Sequence, residues 1–231
     1  MTVLLHPCLV TSLLVAHADG GGQSPRLTAR GAATRARILQ AAADLMYAKG
    51  VAATTMDDVR VASGTSKSQL YQHFSDKDAV VREVISLQAS RVLERQRRRL
   101  ERLSSLRGLE LWRDAIVQRN ALRNGAYGCE LGSLANELAD RDEESRVALA
   151  AHFRTWKALL AAGLARMRET GELGPDADPG WLATGIMAAV QGGYLLAQAE
   201  RDVRPMEIAL DMALDRVRGH ASGSTADADQ M

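Results

Sequence analysis

Between Thr54 and Asp78 the chain reads TTMDDVRVASGTSKSQLYQHFSDKD, and few folds accept that order of caps, breaks and apolar positions. Thr54 and Thr55 each offer a side-chain oxygen to the free N–H groups of a helix start. Met56, Val59, Val61 and Ala62 supply the apolar side of that helix. Ser63-Gly64-Thr65 ends it, with Gly64 the residue that tolerates the positive φ of a sharp turn. The spacing predicts a second helix from Ser66 to Phe74 and a third opening at Ser75-Asp76-Lys77-Asp78, where a cap and acidic residues suit the first turn.

In the second helix, Leu70 and Phe74 fall together and face inward. Ser68, Gln69 and Gln72 point away from them, with Lys67, Tyr71 and His73 on the flanks. That outer face carries no carboxylate. It suits a helix lying in a DNA major groove, with Gln and Ser bonding base edges and Lys, Tyr and His reaching phosphates. The candidate DNA contacts are therefore Thr55, Ser66, Lys67, Ser68, Gln69, Tyr71, Gln72, His73 and Lys77. Arg26 and Arg30 lie on an arm ahead of the first regular helix, placed either to reach phosphates or as solvated charge, and Arg30 joins the candidates.

These residues resemble the N-terminal domain of TetR-type transcriptional regulators. The matching residues are the Thr54-Thr55 cap, Val59, Gly64, Ser66-Lys67, Leu70-Tyr71, Phe74 and Lys77, and the match runs from Thr34 to Ile85. The sequence departs from the pattern at Arg60 and Ser63, where Ala is usual, and at Thr65, where Val is usual. The resemblance implies an all-α protein. A three-helix DNA-binding domain with a helix-turn-helix is followed by a larger helical domain for ligand binding and dimerisation. A second stretch, Gly128 to Leu138, is similar to the C-terminal domain of one branch of the family that includes regulators of drug-efflux genes. That branch often has Pro where this chain has Glu130.

The charge distribution agrees with a DNA-binding end. The 231-residue chain has a formal net charge of only +1, so it is no polycation. From Arg26 to Lys77, however, there are eight basic residues against four acids, and the remainder is net acidic. Residues 1–25 have an apolar run and an Ala16-His17-Ala18 ending that looks like a cleavage site, but no basic start. The run is too short and interrupted to span a bilayer, and the segment reads as a disordered extension of a cytoplasmic protein with no membrane partner.

The expected organisation is a DNA-binding domain over 26–80, a ligand-binding and dimerisation domain over 81–219, and a disordered tail over 220–231. Thr34–Lys49 reads as the first helix, stopped by Gly50. The helix from Asp76 to Leu103 ends in a basic run (Arg95, Arg97, Arg98, Arg99, Arg102), read as a solvated face with i,i+4 partners such as Glu94 and Glu101. The last two helices, Trp181–Glu200 and Arg204–Arg218, carry too much apolar surface for one polar-faced helix each, which a larger monomer core or a dimer would bury. A homodimer with a four-helix bundle buries it, and it presents two recognition helices to a near-palindromic double-stranded operator.

The resemblance puts a ligand cavity in the second domain. The candidate lining is Trp112, Ile116, Arg119, Tyr127 and Cys129, with Phe153, Trp156, Met187, Gln191 and Tyr194 completing it. An apolar cavity with few polar anchors implies a small hydrophobic or aromatic effector. Cys8 and Cys129 make no disulfide framework, and Cys129 reads as a small buried hydrophobe rather than a thiol sensor. No Walker loop, dinucleotide fingerprint or two-His metal spacing is present, so no catalytic residue, metal or cofactor is expected. These features together read as a ligand-responsive transcriptional repressor; the competing readings are an activator or global DNA-binding protein of the same fold, and a helical ligand-binding or enzymatic protein with an inactive DNA-binding surface.

Overall fold

The capping signals around Gly64 set the architecture of the first domain in the computed structural model, which describes residues 28–222. α1 (Ala29–Lys49) buries Ile38, Leu39, Ala42 and Met46. α2 (Met56–Ser63) opens on a reciprocal capping box between Thr55 and Asp58 and stops at Gly64, which has φ 63°. α3 (Lys67–His73) opens on a second box between Ser66 and Gln69. α4 (Lys77–Leu100) is capped by Asp76, whose carboxylate accepts from the Ala79 N–H at 2.8 Å. Val59, Leu70, Phe74, Val80 and Val84 close on the α1 stripe as one small core. Thr54 is fully buried and donates to the Gly50 carbonyl, so Thr55 alone is the cap. Val61, expected to face inward, is 64% exposed, because an eight-residue helix buries only a narrow stripe.

The second domain is built on the far half of α4. α5 (Leu106–Ala121), α6 (Glu130–Leu138), α7 (Glu143–Glu169), α8 (Pro179–Glu200) and α9 (Arg204–Arg218) follow, all helical as the apolar periodicity requires. α8 packs between α7 and α9. Arg166 of α7 donates to the Leu100 and Leu103 carbonyls, at 2.6 and 3.0 Å, which ties the end of α4 and the turn after it to α7. Trp112 is buried and donates its indole N–H to Gln96 at 2.8 Å. Among the described residues, no helix is long and apolar enough to cross a membrane.

Boundaries differ from expectation near both ends of the described chain. α1 begins at Ala29 on a Thr28 cap, five residues early, so Arg30 stands in a helix turn and not on an extended arm. The ordered chain continues past Gly219: Gly174 donates to the His220 carbonyl at 2.7 Å and Ser222 donates to Glu172 at 3.2 Å. That pairing holds residues 220–222, the first part of the segment read as a tail, against the loop after α7. The extension read over 1–25, Arg26 and the remainder of the tail lie outside the described residues.

Candidate functional site

α3 is the element most open to a partner. Lys67, Ser68, Gln69, Tyr71 and Gln72 are exposed, His73 is half-buried, and Leu70 alone turns into the core. Two candidates do more than present a side chain. The Ser66 hydroxyl accepts from the Gln69 N–H at 3.1 Å, while the Gln69 carbonyl oxygen accepts from the Ser66 N–H at 2.9 Å. A bidentate contact from Gln69 to adenine needs that oxygen, so it would have to open the box. Gln72 carries no such tie among the described residues. Thr55 is likewise engaged with Asp58, through its backbone N–H and its hydroxyl. Lys77 is half-buried and reaches the Ala52 carbonyl at 3.3 Å.

Ion pairing decides which charges are free for phosphates. Arg35 is held by Glu83, Lys49 by Asp58 and Arg60 by Asp57. The hydrogen bond from Lys49, with those from Thr55, holds the Asp58 carboxyl far below the usual carboxylate range. Arg30, Arg37, Lys67 and Lys77 have no carboxylate partner among the described residues. Among the described residues, the unpaired positive charge of this end therefore rests on those four.

Two cavities open in the second domain, of about 380 and 330 Å3, meeting at Cys129 and Tyr194. Ile116, Arg119 and Trp156 line the first, and Phe153 and Gln191 the second. Three candidates line neither. Trp112 is packed in the core against Gln96. Tyr127 sits in the α5–α6 turn at φ 69°, 45% exposed, with its ring 5.6 Å from that of Tyr47. Met187 is buried, its sulfur accepting from Gln191, whose amide also reaches the Cys129 sulfur, both at 3.7 Å. Burial pushes the Cys129 thiol up, which disfavours the reactive thiolate and agrees with a packing role.

The basic run contains the largest departure. Arg97 and Arg98 do pair with Glu94 and Glu101 along the helix, but Arg95, Arg98 and Arg99 also wall the first cavity. The signal lies in the spacing: Val92, Arg95, Gln96 and Arg99 recur at i, i+3, i+4, i+7, one stripe of α4. Glu130, where the similar branch often has Pro, accepts from Arg95 and Arg119 at 3.0 Å each.

α6 links the cavities to the first domain. Glu130 belongs to one cavity, and Gly132, Ser133, Ala135 and Asn136 to the other. At the far end, the Glu137 carboxylate accepts from the Val51 and Ala52 N–H groups at 2.7 and 3.2 Å, in the turn between α1 and α2. Before α6, the Gly128 carbonyl accepts from the Tyr47 hydroxyl of α1 at 2.9 Å. Desolvation, with Glu130 nearby, pushes that phenol up to about 12, so it stays a donor at neutral pH. Sequence spacing carries no sign of either link, because each joins residues more than 80 positions apart.

Comparison with known proteins is consistent over both domains. Residues 38–84 match the model of the bacterial regulatory proteins of the tetR family, and residues 100–213 that of the tetracyclin repressor-like C-terminal domain. An uncharacterized HTH-type transcriptional regulator of the lacX 3' region in Lactococcus lactis subsp. lactis is 30% identical over 183 residues, covering 78% of this chain and 90% of that protein. The uncharacterized HTH-type transcriptional regulator YxaF of Bacillus subtilis (strain 168) is 25% identical, covering 78% and 92%. Among solved structures, a TetR transcriptional regulator from Chloroflexus aurantiacus superposes with a TM-score of 0.74 at 23% identity, covering 84% of this chain and 98% of that one. Regulatory protein TetR from Rhodobacter sphaeroides gives 0.72 at 21% identity, covering 79% and 97%. Regulators of this kind bind operator DNA and act as dimers. With the capped helix-turn-helix on one side of α6 and the larger C-terminal helical domain on the other, the chain belongs to the TetR family of bacterial transcriptional regulators, DNA-binding proteins and not enzymes.

Proposed function

We propose that the chain is a ligand-responsive repressor that acts in the cytoplasm, binds a near-palindromic operator as a homodimer and releases it when a small molecule with an apolar or aromatic body enters the second domain. The observation that carries this reading is the double role of α6, which walls both cavities and grips the α1–α2 turn through Glu137. A ligand that prefers one placement of α6 shifts the placement of the recognition helices by its differential affinity. The test is fluorescence anisotropy with DNA upstream of the protein's own gene against scrambled DNA, across a salt series. Selective binding that no small molecule weakens would sink the induction reading and leave the DNA-binding one standing.

The same series separates the roles on α3. Lys67→Ala and Tyr71→Ala should weaken binding to both DNAs by about three- to tenfold and reduce the salt slope by about one for each phosphate that goes unbound. Gln72→Ala should instead narrow the gap between specific and scrambled DNA. Unchanged selectivity in that variant would remove Gln72 from the base readers.

Exposed apolar side chains on α8 and α9 support the dimer. Trp181, Gly185, Ala188, Gly192 and Leu195 follow one another at helical spacing on the open face of α8, beside Leu196. Ile208 and Met212 of α9 are 56% and 69% exposed. Leu195→Glu leaves the fold of one subunit intact and puts a charge in this stripe. Its dimer dissociation constant should rise by about tenfold or more in sedimentation equilibrium. A dimer as tight as the parent's would place the interface elsewhere.

A further inference from the structure

The wall of the larger cavity is rich in donors and poor in acceptors. α4 contributes Arg95, Arg98 and Arg99, α5 contributes Arg119, and Glu130 of α6 is the one carboxylate lining it. Four guanidinium groups against one carboxylate leave this wall at +3. Arg95 and Arg119 converge on the same oxygen of Glu130, whose side chain is 13% exposed. Arg98 is held by Glu94, while Arg99 has no carboxylate partner among the described residues. Trp156 lies on the same wall, 2% exposed, and its indole N–H finds no acceptor among the described residues. The Gln96 oxygen, one of the few acceptors nearby, is already taken by Trp112. A positive, partly enclosed wall is unfavourable alone, and an anionic ligand relieves it.

We propose that this cavity binds an organic anion, a carboxylate carried on an apolar or aromatic body. The carboxylate takes the donors of Arg99 and Arg119, in exchange with Glu130, and the body lies against Val92, Ile116 and Tyr194. Guanidinium groups present paired N–H donors that fit the two carboxylate oxygens, and a neutral molecule of the same shape leaves them unused. The site deepens the effector reading above, and rests on it only for the consequence at the operator. It also revises the expected chemistry of that effector: apolar in body, charged at one end.

The test titrates the full-length protein with 1-naphthoate and, separately, with the neutral 1-naphthamide in a calorimeter. The acid should bind at least about tenfold more tightly than the amide, and the preference should shrink as salt is added. Arg99→Gln and Arg119→Gln should each cut affinity for the acid by about five- to tenfold and leave that for the amide unchanged. Arg99 is exposed at the cavity rim, so its variant keeps the parent's melting curve as a control for folding. Equal affinity for acid and amide, equal loss of both in the arginine variants, or no acid binding up to about millimolar concentration each overturns the anion site. Operator affinity measured alongside keeps the two readings apart. Acid that binds without weakening operator binding refutes induction and leaves the site. Release by the amide, with no preference for the acid, refutes the site and leaves induction.

Discussion

Gly193→Ala is expected to destabilise the protein by about 2–3 kcal/mol and lower its melting temperature by roughly 4–10 °C. Gly193 is buried in the middle of α8, where a Cβ would stand 2.9 Å from the Met206 Cα and 3.2 Å from the Met206 Cβ of α9. The nearest obstruction is backbone, which no rotamer change removes. α8 and α9 would have to separate, and Met206, Leu210 and Leu214, all buried at their junction, would lose packing together. The better helix propensity of alanine returns at most about 1 kcal/mol. Gly185→Ala is the control for packing within one subunit, since nothing of the same chain lies within 4 Å of a Cβ there, and because it lies on the proposed dimer face its dimer dissociation constant is measured alongside. Thermal melts of the two variants decide the matter. If Gly193→Ala melts with the parent, the close approach of the two helices is not what holds this half of the fold.

The contrast between these two glycines marks how far the sequence can be read. Gly185, Gly192 and Gly193 look alike in it, and all suggest close helix approach. Only the fold separates Gly193, turned to α9 of the same chain, from Gly185 and Gly192, turned outward. The DNA-binding end is legible because its signals are local. Thr55, Ser66 and Asp76 cap within three residues, and Gly64 turns within one. Even there one local signal has two meanings: Ser66-Lys67-Ser68-Gln69 is itself a capping-box pattern, and it ties up a side chain that the helical spacing offers as a base contact.

The cavity is only partly legible, and for a different reason. Core and cavity wall draw on the same apolar residue types, so Trp112 and Trp156 are equivalent by periodicity. One is bonded to Gln96 in the core and the other lines the larger cavity. The arginines of α4 are visible as a basic run. Their orientation is set by the rotation of α4 against α5 and α6, which no window of sequence contains. Glu130 carries the same lesson, since its two partners lie 35 and 11 positions away and only the fold brings them together.

Glu137→Ala is expected to weaken operator binding by about thirtyfold, ~2 kcal/mol, with the dimer unaffected. The carboxylate receives two backbone N–H groups of the α1–α2 turn, and hydrogen bonds to a charged acceptor contribute about 1.5–3 kcal/mol each. Alanine leaves both donors without that acceptor and frees the turn from α6. The second domain then no longer holds α2 and α3 at a fixed angle, and each subunit must order its recognition helix at the moment of binding. Glu137→Gln keeps one oxygen acceptor and should fall between the two, because the loss of charge weakens the bonds without abolishing them. The same variants test transmission. If α6 carries the signal, a ligand that weakens operator binding in the parent should do so less in Glu137→Ala, since the link it would move is gone. Anisotropy titrations with and without ligand give both quantities. Parent-like operator affinity in Glu137→Ala would show that the Tyr47 to Gly128 link suffices, and a parent-like ligand response would route the signal through α4 and not α6.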